Sequence, residues 1–235
     1  MKQLKIFAAA VLAGACVALG GTVFLSLESK VLGALFFIVG LFTICTFGLN
    51  LFTGKVCYVF DNRADYALAL PVIWVGNLAG TWLVAFLGGL TRMGPALTAR
   101  AIELCRDKLS DGFLSLLILG ALCNVLIYIA VEGFRSNPHS AGKYLSLFFG
   151  VMVFILCGFE HCIADMYYFS MAGVWSGDVL LRVLTITLGN ALGGIAFRLV
   201  HRFFQGRSKS VVTGISISHP EHGAQRNGRQ SQACV

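Results

Sequence analysis

Residues 158–165 have the sequence Gly-Phe-Glu-His-Cys-Ile-Ala-Asp and interrupt an apolar segment, 143–173, that is too long for one ordinary membrane span. A second long segment, 31–61, is interrupted in the same way by Gly-Leu-Asn-Leu-Phe-Thr-Gly-Lys at residues 48–55. Irregular backbone persists at membrane depth only where it is buried in protein or lines a water-filled cavity. We therefore predict that both segments are broken helices that meet inside the protein.

The chain as a whole has the composition of a membrane protein. Of its 235 residues, 57% are hydrophobic and 12% are charged, about half the charged fraction of a soluble domain. Six apolar segments are long enough to cross the bilayer as helices. They lie at residues 5–27, 31–61, 68–91, 112–134, 143–173 and 181–204. We predict a six-span domain over residues 1–204, with a short amphipathic surface helix in the connection 92–111 and a disordered polar tail at 205–235.

An internal repeat divides the six spans into halves at about residues 5–91 and 112–204. Gly-Asn-Leu-Ala-Gly at 76–80 in the third span matches Gly-Asn-Ala-Leu-Gly at 189–193 in the sixth, and the break at Thr53 is aligned with the break at His161. Three spans per half force the second half to insert upside down. Inverted repeats whose broken helices meet near the midplane are typical of solute pathways. The paired Gly-x-x-x-Gly spacing favours close helix packing, within or between subunits.

The net charge of +7 does not indicate a nucleic-acid partner, because the basic residues are spread over the connections and the tail. Lys and Arg that flank spans accumulate on the cytoplasmic side. Lys2 and Lys5 at one end, with Arg198 and Arg202 at the other, predict a multi-pass protein of the cell membrane with both termini in the cytoplasm. The connection 92–111 is then external, contrary to the simple charge rule.

Several polar residues in or beside the spans are candidates for a site. His161 is the only histidine deep in a span, and an intramembrane ionisable residue is a functional candidate by default, although it could also be a structural histidine bonded to backbone. Its imidazole suits donation of a proton or hydrogen bond to an anion. Thr53 could satisfy freed backbone groups, line a passage opposite His161, or do both. Asn124 should face the interior, and Asn50 and Lys108 are further candidates, the last ordinarily expected to be solvated.

A metal site and an enzyme are weaker interpretations of the same region. Cys157 and Asp165 lie four residues on either side of His161, but structural zinc sites usually show paired ligand motifs, and His-Glu-x-x-His is missing. We therefore predict no metal, no cofactor and no catalytic residue. Two alternatives stay open: a pore for water or a polyol, and an intramembrane enzyme that uses His161, Glu160 and Asp165.

The two interrupted segments resemble a known family. Leu51-Phe52-Thr53 and Gly158-Phe159-Glu160-His161 are similar to the loops in the broken second and fifth helices of the formate/nitrite transporter family. Asn124 and both Gly-Asn-x-x-Gly motifs also fall where that family has them, and the resemblance covers about residues 5–204. It implies a homopentamer of aquaporin-like protomers in the lipid bilayer, each with its own pore for small monovalent anions such as formate, nitrite or hydrosulfide.

The resemblance also implies roles for individual residues. The family's central histidine falls on His161, its loop threonine on Thr53 and its vestibule lysine on Lys108. Its span-four asparagine falls on Asn124. Its hydrophobic constrictions fall on four apolar residues: Phe37, Leu41, Leu51 and Phe154.

Two departures from the family pattern leave the anion open. The family commonly has Glu-His-Ser-x-Ala-Asn, whereas this chain has Glu160-His161-Cys162-Ile163-Ala164-Asp165. An acid four residues after the histidine could hold the tautomer of the imidazole. The connection between the fifth and sixth spans, at about 176–178, is also very short. The hydrosulfide branch of the family therefore stays open as a match, beside formate and nitrite.

Overall fold

A computed structural model describes the backbone of residues 2–212 and the side chains of residues 3–205. Within these residues the chain forms nine α-helices and one 3-10 turn, Val59–Asp61. The helices are α1 (Lys2–Ser26), α2 (Lys30–Phe47), α3 (Phe52–Val56), α4 (Ala64–Gly89), α5 (Gly94–Ser110), α6 (Phe113–Ser136), α7 (Ser140–Leu156), α8 (Cys162–Ala172) and α9 (Gly177–Val212). Helix α9 continues past residue 204, so the backbone of residues 205–212, which belong to the predicted disordered tail, is helical. The rest of the predicted tail, 213–235, lies outside the described residues.

The lengths of the helices fit the predicted spans. In the described part of the chain, α1, α2, α4, α6 and α9 are long and apolar enough to cross a membrane. The fifth predicted span, 143–173, is built from two shorter pieces, the 17-residue apolar helix α7 and, after a break, α8. The amphipathic helix α5 lies where the surface helix was predicted. The prediction of an all-α membrane protein is therefore confirmed.

Both predicted interruptions are present, and a glycine in a left-handed conformation begins each one. Gly48 ends α2 with a φ of 64°, and Gly158 follows α7 with a φ of 72°. Glycine adopts this conformation without steric cost and commonly ends a helix in this way. The chain turns away after each glycine, and helix resumes at Phe52 in the first segment and at Cys162 in the second.

The short helices that follow the breaks pack against the opposite half of the chain. Helix α8 contacts α4 and α1, whereas α3 contacts α9 and α6. Within each half, α1 packs along α4 and α6 packs along α9. A Cβ at Gly80 would overlap the carbonyl oxygen of Val11, and one at Gly193 would overlap that of Ala121. The close packing predicted for the Gly-x-x-x-Gly motifs therefore occurs within one protomer.

Candidate functional site at the two helix breaks

A buried asparagine holds each break in place. The side chain of Asn190 in α9 is fully buried, and its Oδ1 accepts a hydrogen bond from the backbone N–H of Cys162 at 3.0 Å. Its Nδ2 donates to the carbonyl oxygens of Glu160 at 2.8 Å and Gly120 at 2.7 Å. Backbone groups freed by the break are thus satisfied by one amide, as burial requires.

Asn77 in α4 does the same for the first break. Its Oδ1 accepts from the N–H of Phe52 at 2.9 Å, and its Nδ2 donates to the carbonyl oxygens of Asn50 at 2.9 Å and Ala10 at 2.8 Å. From the sequence we predicted only a packing role for both Gly-Asn-x-x-Gly motifs, so this role of the asparagines was missed. The available signal was the asparagine itself, since a polar side chain repeated inside two spans needs a partner in each.

These hydrogen bonds fix the register of the repeat. They show that Asn50 is equivalent to Glu160 and Phe52 to Cys162. Leu51 is therefore the residue of the first half that is equivalent to His161. The predicted alignment of Thr53 with His161 is therefore two residues out of register. The left-handed glycines Gly48 and Gly158 are the equivalent positions that begin the breaks, and aligning them gives the register that the hydrogen bonds show.

Thr53 and His161 nevertheless meet across the two breaks. Thr53 Oγ1 lies 3.0 Å from His161 Nε2, and the two residues are 0% and 3% exposed. The imidazole also caps α8, because its Nδ1 accepts from the backbone N–H of Ala164 at 3.1 Å. A neutral imidazole that accepts at one nitrogen carries its hydrogen on the other. His161 therefore donates from Nε2 to the hydroxyl of Thr53.

Apolar side chains surround this polar contact. The ring of Phe154 stacks on the imidazole of His161, with centroids 5.7 Å apart and an interplanar angle of 22°. Phe37 meets Phe154 edge to face at 6.1 Å. Leu41 and Leu51 are also buried. All four predicted constriction residues therefore lie in the apolar interior, and two of them are in the ring stack at the histidine.

The two asparagines predicted for the site have different positions. Asn124 faces the interior as expected: it is fully buried, and its Nδ2 donates to the carbonyl oxygens of Thr53 at 3.1 Å and Asn190 at 2.7 Å. Asn50 donates instead to the carbonyl oxygen of Ile6 at 3.2 Å. Its side chain ties the first break to α1 and is not brought to His161.

Lys108 is largely shielded from solvent and paired, contrary to the expectation of a solvated side chain. Its Nζ lies 2.5 Å from Glu160 Oε2 and 2.8 Å from Asp165 Oδ1, and the lysine side chain is 12% exposed. Burial alone would lower the pKa of Lys108, but the charges of Asp165 and Glu160 outweigh this effect and raise it. The lysine is therefore an ammonium. We had predicted that Asp165 could hold the tautomer of His161. Asp165 instead contacts the ammonium of Lys108. The backbone N–H of Ala164 donates to Nδ1 of His161 and so fixes the tautomer.

A cavity of about 90 Å³ lies between the ionic cluster and the imidazole. Lys108 and Asp165 line it together with His161 and Phe154. Lys30 also lines it, and its Nζ donates to the carbonyl oxygen of Leu156 at 3.1 Å. The cavity is small enough to exclude large solutes. Both the charged pair Lys108 and Asp165 and the imidazole of His161 border it.

The alternative metal site is not assembled in the described part of the chain, where no group of three or more His, Cys, Asp and Glu side chains is placed to hold an ion. Cys157 is exposed, whereas the carboxylate of Asp165 is directed to Lys108.

The arrangement defines a class: a helical membrane protein in which two interrupted helices enclose a buried donor pair between apolar rings. The formate/nitrite transporter family profile matches residues 1–204, and the chain belongs to this family. The family resemblance of the sequence is thereby confirmed. Since the family's members are transporters and channels, the protein is a membrane transport protein and not an enzyme.

Individual relatives agree with this assignment. The chain is 31% identical to the uncharacterized transporter YrhG of Bacillus subtilis over 185 residues, which cover 72% of this chain and 69% of that protein. It is also 31% identical to the nitrite transporter NirC of Escherichia coli, over 73% of this chain and 69% of that one. A solved structure, a pentameric formate channel with formate bound, superposes with a TM-score of 0.72 at 23% identity and covers 91% of this chain and 98% of its own.

Proposed function

We propose that the protein is a channel through the cell membrane for small monovalent anions or their weak acids, such as formate, nitrite or hydrosulfide. The observation that carries the proposal is the contact of Thr53 Oγ1 with His161 Nε2 at 3.0 Å, at the meeting point of two broken helices. This contact offers hydrogen bonds inside an otherwise apolar interior, where a small polar solute has few other partners.

The energetics of the apolar rings restrict which species can pass. Moving a bare ion into a medium as apolar as a hydrocarbon costs on the order of tens of kcal/mol, whereas a neutral polar group costs a few. Phe37 and Phe154 therefore oppose an anion that has no donor beside it. His161 and Thr53 supply donors at this point, so the solute passes either while hydrogen bonded to them or as its neutral acid.

The geometry favours hydrogen-bond donation over release of a proton by the histidine. Nδ1 of His161 is held by the N–H of Ala164, so a neutral ring that released its Nε2 proton would become an imidazolate. To act as an acid, the ring must first take up a proton on Nδ1 and break its cap on α8. We therefore assign His161 the role of a donor aligned by that cap.

We also propose an orientation and an assembly. Both termini lie in the cytoplasm, which places Lys108 and its cavity on the external side. The protein forms a homopentamer, as in the structurally similar pentameric formate channel. Large apolar side chains cover the outside of the protomer, including the stacked pair Trp82 and Phe86. These surfaces suit contact with neighbouring protomers and lipid.

The test is flux into liposomes that contain the purified full chain, measured for formate, nitrite and hydrosulfide at two pH values. His161→Phe removes both ring nitrogens while keeping an aromatic ring, so we expect it to reduce anion flux at least about tenfold, equivalent to one lost hydrogen bond. His139→Phe is the matched control, because His139 is exposed on the connection before α7.

Three outcomes would contradict the proposal. Flux of every anion at the level of empty liposomes would remove the function itself. Wild-type flux from His161→Phe at both pH values would remove the role of the histidine. Rapid swelling in glycerol without anion flux would identify the neutral-solute pore instead.

A further inference from the structure

The ionic cluster beside the cavity has more negative groups than its cation can neutralise. The side chains of Glu160 and Asp165 are 6% and 1% exposed, and both contact the single ammonium of Lys108. With both acids ionised the cluster would carry one net negative charge. An uncompensated charge in a buried position costs several kcal/mol, so such clusters change their protonation instead.

The two acids also lie close to each other around that cation. Glu160 Oε2 and Asp165 Oδ1 lie 2.5 Å and 2.8 Å from the same Lys108 Nζ, so these two oxygens are at most about 5.3 Å apart. Two ionised carboxylates this close repel each other, which favours a proton on one of them. In addition, the buried Asp165 Oδ2 receives a hydrogen bond from no donor in the described part of the chain. A proton on this pair removes one of the two buried negative charges and lowers the cost of leaving Oδ2 without a donor.

We propose that Glu160 and Asp165 share one proton, and that together with Lys108 they form a titratable proton-binding site at the cavity of the pathway. Asp165 creates the site, because an uncharged residue at this position would leave Glu160 and Lys108 as a balanced pair. With its proton the cluster is neutral, and without it the cluster carries one negative charge.

The groups around the cluster leave this charge balance unchanged at neutral pH. The neighbouring thiols and phenol are uncharged at their ordinary pKa values, and burial raises the pKa of the Cys105 thiol to about 12. Lys30 is the other cation at the cavity, but its ammonium is exposed and bonded to a carbonyl oxygen. In the part of the chain that the structure describes, the neighbouring titratable groups are Lys30, Cys105, Cys123, His161, Cys162 and Tyr168.

The consequence for transport rests on the proposed function. A deprotonated, negative cluster beside the cavity repels an entering anion, whereas the neutral cluster does not. Anion flux should therefore fall as the external pH rises and the shared proton is lost. Replacement of Asp165 by Asn removes the second acid and with it this source of pH dependence.

Infrared spectroscopy tests the proton without any transport. The full chain is reconstituted in lipid without added anions, and the carbonyl stretching band of protonated carboxylic acids is recorded during a pH titration. We expect a band in the wild type at neutral pH that is lost in Asp165→Asn. Asp107→Asn is the control, because Asp107 is an exposed acid on the same helix as Lys108. An unchanged band in Asp165→Asn would overturn the proposal.

A second variant tests the shared proton independently, in case Asp165→Asn does not fold. Glu160→Gln removes the other acid and should lose the same band, because Asp165 then pairs with Lys108 as a carboxylate. Persistence of the band in this folded variant would also overturn the shared proton. Thermal unfolding of each variant identifies those that fold.

Flux then separates this inference from the proposed function. The protonated fraction of one group falls about tenfold per pH unit above its pKa, so the wild-type ratio of flux at pH 6 to flux at pH 8 should exceed that of Asp165→Asn by about tenfold to a hundredfold. If the infrared band is present but no anion flux is measured, the proton site stands and the proposed channel function is wrong. Anion flux without the band would retain the channel and reject the proton site.

Discussion

Asn77 and Asn190 make the same three hydrogen bonds in the two halves of the chain. Each amide oxygen accepts from the first backbone N–H of the helix after a break, at 2.9 Å and 3.0 Å respectively. Each amide nitrogen donates to a carbonyl oxygen before that break and to another on the first span of the same half. A side chain with both a donor pair and an acceptor is needed here, because both kinds of backbone group are freed.

We expect Asn190→Asp to destabilise the protein although it preserves the shape of the side chain. The carboxylate can still accept from Cys162 but loses both donors, and it faces the carbonyl oxygens of Glu160 and Gly120. Each unsatisfied buried group costs about 1–3 kcal/mol, so a fall in thermal midpoint of many degrees is expected. The measurement is thermal unfolding of the purified protein.

Asn62→Asp provides the comparison for this substitution. Asn62 is exposed, and its amide donates to the carbonyl oxygen of Tyr58 outside the helical spans. The midpoint of this variant should stay close to that of the wild type. Equal midpoints for Asn190→Asp and Asn62→Asp would show that the amide does not hold the break.

Gly158→Ala tests whether the left-handed glycine encodes the second break. No atom lies within 4 Å of a Cβ built at this position, so any loss of stability comes from the φ of 72° and not from crowding. A left-handed conformation costs a non-glycine residue about 1–2 kcal/mol. Gly89→Ala also meets no neighbour and lies in a helix, where Ala is favoured. The first variant should therefore lower the unfolding midpoint and the second should preserve or raise it; the reverse order would contradict the assignment.

The main features of the fold could be predicted from the sequence because they depend on local chemistry. Apolar length determines the spans, and glycines at 48 and 158 followed by polar residues reveal the breaks. The meeting of Thr53 with His161 follows once both segments are recognised as broken, since freed polar groups must converge where they can satisfy one another.

The partners of Lys108 could not be predicted in this way. Its position on a basic, amphipathic connection favours a solvated side chain, and only the packing of α5 on α8 brings it to Glu160 and Asp165. The bonds of Asn77 and Asn190 were hidden for the same reason, because they join residues far apart in the chain. Long-range contacts between polar groups leave no periodic signal in a single sequence.

Lys108→Met should destabilise the protein more at alkaline than at acidic pH. The raised pKa keeps the ammonium charged below the ordinary lysine pKa, and its charge is lost only as the pH rises through the higher folded value. The wild-type lysine therefore keeps its charge between about pH 5 and pH 8. In the variant the two acids lose their cation, a change that typically costs about 3–5 kcal/mol, and protonation in acid relieves their repulsion.

The difference in thermal midpoint between wild type and Lys108→Met, measured at pH 5 and pH 8, checks this expectation. Arg106→Met is the control, because Arg106 is an exposed cation on the same helix. A pH-independent difference for Lys108→Met would mean that the lysine stabilises by packing and not by its charge.

Thr53→Val should reduce anion flux while Thr53→Ser retains most of it. The hydroxyl of Thr53 is the acceptor for Nε2 of His161, and valine leaves this buried donor unpaired at a cost of about 1–3 kcal/mol. The imidazole then loses the contact that orients it, and the pathway loses one of its two donors, so we expect a fall of at least about tenfold. Thr46→Val is the matched control, since its hydroxyl bonds only to its own helix on an exposed face. Liposome flux gives the readout, and wild-type rates from Thr53→Val for every anion tested would place the pathway away from this hydroxyl.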